Sequence, residues 1–244
     1  FTQVDTGEYT SINQLSVAPV GNKIAFIGSA PHIPTRVVRW DGALSTVAYS
    51  TVENIDPAFL PDEQLIKWKA PDGMETYGHY YPPANPYFTG SGLPPALIYV
   101  HGGPTGGSAA SFSGMRNYFT SRGYALLDVD YRGSSGYGLA YQRSMREKWG
   151  LVDTEDMYGA VQALKEQKLA DVNRLAIMGG SAGGYLVLNA MIHYPGLFKA
   201  GIDLFGVSNL FNLATDTHKF ESRYLDSMVG PLPETAERYR EFSP

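Results

Sequence analysis

The chain has 244 residues, 43% hydrophobic and 18% charged, with a net charge of −5 and no cysteine. This is a globular composition able to bury a large core. It excludes disulfides, thiolate metal sites and a cysteine nucleophile, and the acidic balance without a basic run speaks against nucleic acid.

Residues 1 to 60 read as β. A turn at Gly21-Asn22 precedes a strand, and Thr35–Trp40 and Leu44–Tyr49 flank the Asp41-Gly42 turn. Short strands separated by Asn/Asp/Gly turns predict a meander of the kind that builds one propeller blade. The Pro- and acid-containing stretch from Asn54 to Asp62 is the expected domain boundary. Leu65–Ala70 and Glu75–Tyr81 around Asp72-Gly73 read as a hairpin, and Pro82–Pro95 as a loop.

From Ala96 the pattern alternates strand and helix. Ala96–Val100 is an apolar strand that runs into His101-Gly102-Gly103-Pro104. Tyr124–Asp130 is the next strand, leading into Tyr131-Arg132-Gly133-Ser134-Ser135-Gly136. Asp153 is placed to cap a helix whose apolar face is Met157, Ala160, Val161 and Leu164. Leu175–Met178 is a third strand, Tyr185–Tyr194 a nearly all-apolar helix that includes a packed His193, and Ala200–Phe205 a last strand. Strands alternating with helices predict a mostly parallel sheet covered on both faces. No apolar run reaches the roughly 18 residues of a membrane span.

Gly179-Gly180-Ser181-Ala182-Gly183 lies between an apolar strand and an apolar helix. In that context Gly-x-Ser-x-Gly is a nucleophile elbow. The turn is sharp, so a side chain at Gly179 or Gly183 would clash, and Ser181 carries its hydroxyl exposed above the sheet. The alternative, a dinucleotide-binding turn, needs a glycine where Ser181 stands. Ser181 is therefore the candidate catalytic nucleophile, with Gly179, Gly180 and Gly183 shaping its turn. The amide of Ala182 is one candidate oxyanion donor, and the Gly103 N–H, on the Gly-rich loop after an earlier strand, is the second. His101 precedes the nucleophile, whereas this fold orders its triad Ser, acid, His, so His101 is expected to brace its loop.

These stretches together resemble the prolyl oligopeptidase family of serine peptidases, most closely its acylaminoacyl-peptidase branch. The resemblance rests on His101-Gly-Gly-Pro, Asp130-Tyr-Arg-Gly-Ser-Ser-Gly-Tyr-Gly, Trp149-Gly150 with Asp153 and Asp156, and Gly179-Gly-Ser-Ala-Gly-Gly. It covers about residues 64 to 244. It implies an α/β-hydrolase fold (doubly wound, mostly parallel), incomplete at its C-terminus and preceded by strands from the end of a β-propeller. The implied domains are 1–60, a propeller-blade segment, and 61–244, the catalytic domain. Other branches of the family carry a tyrosine where this chain has His101, which leaves the oxyanion to the backbone amide of Gly103.

In the family the acid and the histidine of the triad follow on two later strand ends. Phe220–Tyr224 and Tyr239–Pro244 resemble the region just before the acid-bearing strand. The chain, which starts at Phe1 without a methionine, is thus expected to be a piece of a longer protein that stops before both partners. The in-chain alternative is Asp203 or Asp216 as acid with His218 as base.

The resemblance implies hydrolysis of short peptides or acylated amino acids, without cofactor or metal. A peptide is the expected partner; no membrane or nucleic acid is expected, and a homo-oligomer is left open. The compartment is open too, leaning to the cytoplasm. The other readings are a carboxylesterase, because His-Gly-Gly loops occur there too, and a catalytically inactive binding module.

Overall fold

The computed structural model describes residues 3–52, 55–219 and 221–244. The boundary residue Asn54 and the family-like Phe220 lie outside the described residues, as does the start at Phe1. The chain forms two compact units: one takes in Phe1–Glu63, Tyr81–Thr89 and Ala109–Gly123, the other Gln64–Tyr80, Gly90–Ser108 and Tyr124–Pro244.

In the first unit β1 (Ser11–Val17), β2 (Ile24–Ala30), β3 (Ile33–Trp40) and β4 (Leu44–Tyr49) form an antiparallel meander in sequence order. This is the form of a propeller blade. The β3–β4 turn sits at the Asp41-Gly42 pair, where Gly42 takes φ +105°, a conformation that costs glycine little, whereas Pro31-His32 joins β2 to β3. Phe26 and Val38 are buried, whereas β1 and β4 are largely exposed. Two later segments belong to the same unit. The Phe112 amide donates to Ser29 Oγ (3.0 Å). The short helix α1 (Gly114–Thr120) starts at Ser113, whose hydroxyl accepts from the Arg116 amide, and the Arg116 guanidinium lies 3.8 Å from the centre of the Tyr81 ring.

The second unit is a six-stranded sheet. Its strands are β5 (Gln64–Lys69), β6 (Glu75–Tyr81), β7 (Ala96–Val100), β8 (Ala125–Asp130), β9 (Leu175–Gly180) and β10 (Ala200–Leu204), in the spatial order β10-β9-β7-β8-β6-β5. β10, β9, β7 and β8 run parallel, and β5 and β6 form the antiparallel hairpin at one edge. All six residues of β8 are buried, as a strand flanked on both sides requires.

Helix α3 (Val152–Glu166) buries Met157, Ala160, Val161 and Leu164, the face read from their spacing. It packs on β5 and on α4 (Ala182–His193), which also packs on β7, β9 and β10. α4 buries Tyr185, Leu186 and Val187; burial of an aliphatic side chain of this size is worth about 1.5–3 kcal/mol. The last turn of α4 emerges into solvent, so His193 is exposed rather than packed. Asp153 is not a cap: Leu151 holds that position, and Asp153 is fully buried in the first turn. Four short helices escaped the periodicity reading because none exceeds seven residues: α2 (Leu139–Arg143), α5 (Leu210–Asp216), α6 (Tyr224–Met228) and α7 (Ala236–Phe242). Among the described residues no helix is long and apolar enough to cross a membrane.

Candidate active site

The sharpest feature lies between β9 and α4. Ser181 has φ +56° and ψ −120°, a conformation that non-glycine residues avoid. Neighbouring groups on both sides hold it there. Its amide donates to the Leu204 carbonyl of β10 (3.0 Å), and its carbonyl accepts the Tyr185 amide (3.0 Å). The glycines around it are steric necessities. A Cβ at Gly183 would lie 2.2 Å from the Val100 carbonyl oxygen, and one at Gly179 would lie 2.6 Å from Val100 Cγ2. Strand pairing sets this crowding, because Val100 of β7 is in register with Gly179 of β9. Ser181 itself is exposed, while the six residues after it are buried. Ala182 is the first helical residue of α4, so its N–H has no carbonyl partner within the helix.

The loop after β7 arrives beside this turn. The Cβ direction of Gly102 points at the elbow, with Gly180 O at 3.0 Å, Ser181 Cβ at 3.4 Å and the Ala182 nitrogen at 4.0 Å. Gly103 follows, at φ +104°. The structure thus brings the Gly102-Gly103 peptide, distant in sequence, beside Ser181 and Ala182.

His101 holds this loop by three routes. Its Nδ1 lies 2.9 Å from the Gly102 carbonyl oxygen, which an Nδ1–H would satisfy. Its Nε2 is 2.8 Å from Ser134 Oγ, and its own carbonyl accepts the Tyr131 hydroxyl (2.8 Å). The imidazole also stacks on the Tyr131 ring, with centroids 4.4 Å apart. A trans peptide carries the Gly102 C=O and the Gly103 N–H in one plane. A bond to that carbonyl therefore orients that N–H. Burial pushes the His101 pKa down, against the opposing pull of the Gly102 carbonyl and Asp130, which favours the neutral ring.

Asp130, at the end of β8, ties the loop further. Burial alone would raise its pKa, but three hydrogen bonds hold it below the usual carboxylate value. They come from His79 Nε2 (3.1 Å), the Ser108 amide (2.6 Å) and the Tyr137 hydroxyl (2.7 Å). Next to it the fully buried Arg132 donates to Asp156 (2.9 Å), Asp72 (2.8 Å), Glu155 (2.9 Å) and the Val152 carbonyl (3.0 Å). Asp130-Tyr131-Arg132 thus braces the loop after the neighbouring strand. The stretch stands out in the sequence, but its bracing role needs the β7–β8 pairing to be seen.

The residues considered for a triad within the chain are occupied differently. Asp203, in β10, accepts the Gly206 amide (2.7 Å), and His218 Nε2 lies 3.5 Å from Glu221 on an exposed stretch. Asp216 ends α5. His32 bonds Asp62.

A mostly parallel sheet, a strand-to-helix turn with a serine at positive φ and a Gly-rich loop beside it define an α/β-hydrolase domain of the serine-hydrolase type. The prolyl oligopeptidase family matches residues 110–244, more than half of the chain, and the chain belongs to that family. It is 42% identical, with a TM-score of 0.89, to the solved structure of a Mycobacterium tuberculosis puromycin-hydrolyzing peptidase, over 95% of this chain and 36% of that one. Curated relatives include dipeptidyl aminopeptidase BIII of Pseudoxanthomonas mexicana, 32% identical over 55% of this chain and 20% of that protein. The acylamino-acid-releasing enzyme of Arabidopsis thaliana is 32% identical over 62% of this chain and 20% of that protein. The chain therefore matches about a fifth of the length of these curated relatives.

Proposed function

We propose that the protein containing these 244 residues is a serine peptidase that hydrolyses short peptides or acylated amino acids through an acyl-enzyme on Ser181. The observation that carries this reading is the exposed Ser181 held at φ +56° at the head of α4. Ser181 Oγ attacks the scissile carbonyl carbon. The resulting oxyanion is received by the N–H groups of Gly103 and Ala182. A general base takes the serine proton and returns it to the departing amine; water then cleaves the acyl ester and frees the serine. The base and its acid come from a part of the protein outside these residues, in keeping with the small share of its relatives that the chain spans. The meander of β1–β4 serves as the terminal blade of a propeller that precedes the catalytic domain.

The substrate class is supported by the names of these relatives, which point to dipeptidyl, acylamino-acid and puromycin substrates. In the full-length protein, Ser181→Ala should abolish turnover of an acyl-amino-acid amide or of puromycin, by up to about a millionfold, with the fold intact by circular dichroism. It should also abolish labelling by a fluorophosphonate. Retained turnover would overturn the nucleophile assignment. Cleavage of simple esters with no cleavage of amides would favour a carboxylesterase.

A further inference from the structure

Gly103 has no side chain to hold it, and its φ of +104° is a conformation that most residues avoid. Each of its two peptide groups nevertheless has a partner. The preceding one, which carries the Gly103 N–H, is reached by His101 through the Gly102 carbonyl (2.9 Å). The following one is reached by a residue 121 positions away: the Tyr224 hydroxyl donates to the Gly103 carbonyl oxygen at 3.1 Å. Thr105 Oγ1 lies 3.1 Å from the same phenol.

Tyr224 is delivered by a fixed element. It opens α6, whose Leu225 and Met228 are buried in the core. The Glu147 amide donates to the Ser227 carbonyl (3.1 Å), and the Trp149 amide to the Met228 carbonyl (3.2 Å). The family-like Trp149-Gly150 segment is thereby coupled to the loop beside Ser181.

We propose that Tyr224 is a positioning residue for the oxyanion donor: by holding the Gly103 carbonyl it fixes the direction of the Gly103 N–H. This rests on the peptidase reading above. A glycine between two anchored peptides cannot swing its N–H without breaking one of the two bonds. The donor is therefore preorganised before charge develops on the substrate oxygen, which is what electrostatic catalysis requires. Burial raises the phenol's pKa, so the hydroxyl keeps its proton across the working range and remains a donor.

The test is Tyr224→Phe in the full-length protein, with sites counted by fluorophosphonate titration. Turnover per titrated site should fall about tenfold, a fraction of what losing an oxyanion donor outright costs, while KM stays within about twofold. A peptide aldehyde, whose adduct with serine carries the oxyanion, should bind more weakly by the same factor as turnover falls. Wild-type turnover and aldehyde affinity per site would overturn the proposal. So would a loss that lies wholly in the fraction of titratable sites, which marks a merely structural role. Failure of the peptidase reading looks different: wild type and Ser181→Ala would behave alike, with neither labelled, and this proposal would fall with it.

Discussion

The loops that leave β7 and β9 meet at one spot, but they are held there by opposite means. The β9 turn is fixed by exclusion. Gly179 and Gly183 press against Val100 with no room for a methyl group, and that crowding keeps Ser181 at positive φ. The β7 loop is fixed by attraction: His101, Tyr131 and Ser134 hold it through hydrogen bonds and one stacked pair, backed by the buried ion pairs of Arg132. A steric device is stiff and indifferent to pH, because repulsion rises steeply and carries no proton. A polar device is adjustable and depends on protonation, so the two sides should fail in different ways.

The largest effect should come from the polar side. Arg132→Met leaves Asp156 buried without its cation, and breaking a buried pair from one end costs about 3–5 kcal/mol. Urea unfolding measures this; a loss below about 1 kcal/mol would mean that the ion pairs do not support the loop.

Gly183→Ala tests the steric side. Its new Cβ would meet the Val100 carbonyl oxygen at 2.2 Å, so β7 and the turn must separate. Overpacking of this kind costs about 1–3 kcal/mol, and displacing Ser181, the proposed nucleophile, should lower turnover about a hundredfold. Unaltered turnover would show that the turn is softer than its contacts suggest.

His101→Ala removes the bond to the Gly102 carbonyl. Turnover should fall about tenfold with little change in KM, because in the proposed mechanism the N–H it orients acts mainly in the transition state. An effect confined to KM would place His101 in substrate binding instead.

A pH slope belongs to the polar side as well. Asp153 Oδ1 accepts the Gly150 amide (2.7 Å), but its buried Oδ2 has no partner among the described residues. Burial pushes this carboxyl up to about 7, from an ordinary value of 3.8. The folded state then holds a proton that the unfolded chain releases. The group's stabilising contribution is thus full below pH 3.8 and is lost as pH rises through about 7. Relative to Asp153→Asn, wild-type stability should fall by about 1.4 kcal/mol per pH unit across that window. Parallel pH profiles for the two proteins would refute the raised value.

Much of the site could be read from the chain because the β9 turn is local. Gly-Gly-Ser-Ala-Gly between an apolar strand and an apolar helix carries its constraint within a few residues, and steric exclusion by glycine needs no distant partner to be recognised. The meander and the alternating strands and helices were legible for the same reason, since turn chemistry and side-chain period are properties of short windows. The exposure of His193 was not, because composition reports how apolar a helix is but not how far the core extends along it.

The sequence by itself determined the alternation of strands and longer helices, the elbow and the family to which they point. Only the tertiary structure decided what braces the loop after β7. That required β8 to lie beside β7, so that Tyr131 and Ser134 reach His101, and α6 to fold back so that Tyr224 meets the Gly103 carbonyl. The physical reason is range. Steric and propensity rules act between neighbours in the chain, whereas a hydrogen bond or buried ion pair depends on which strands become neighbours in space.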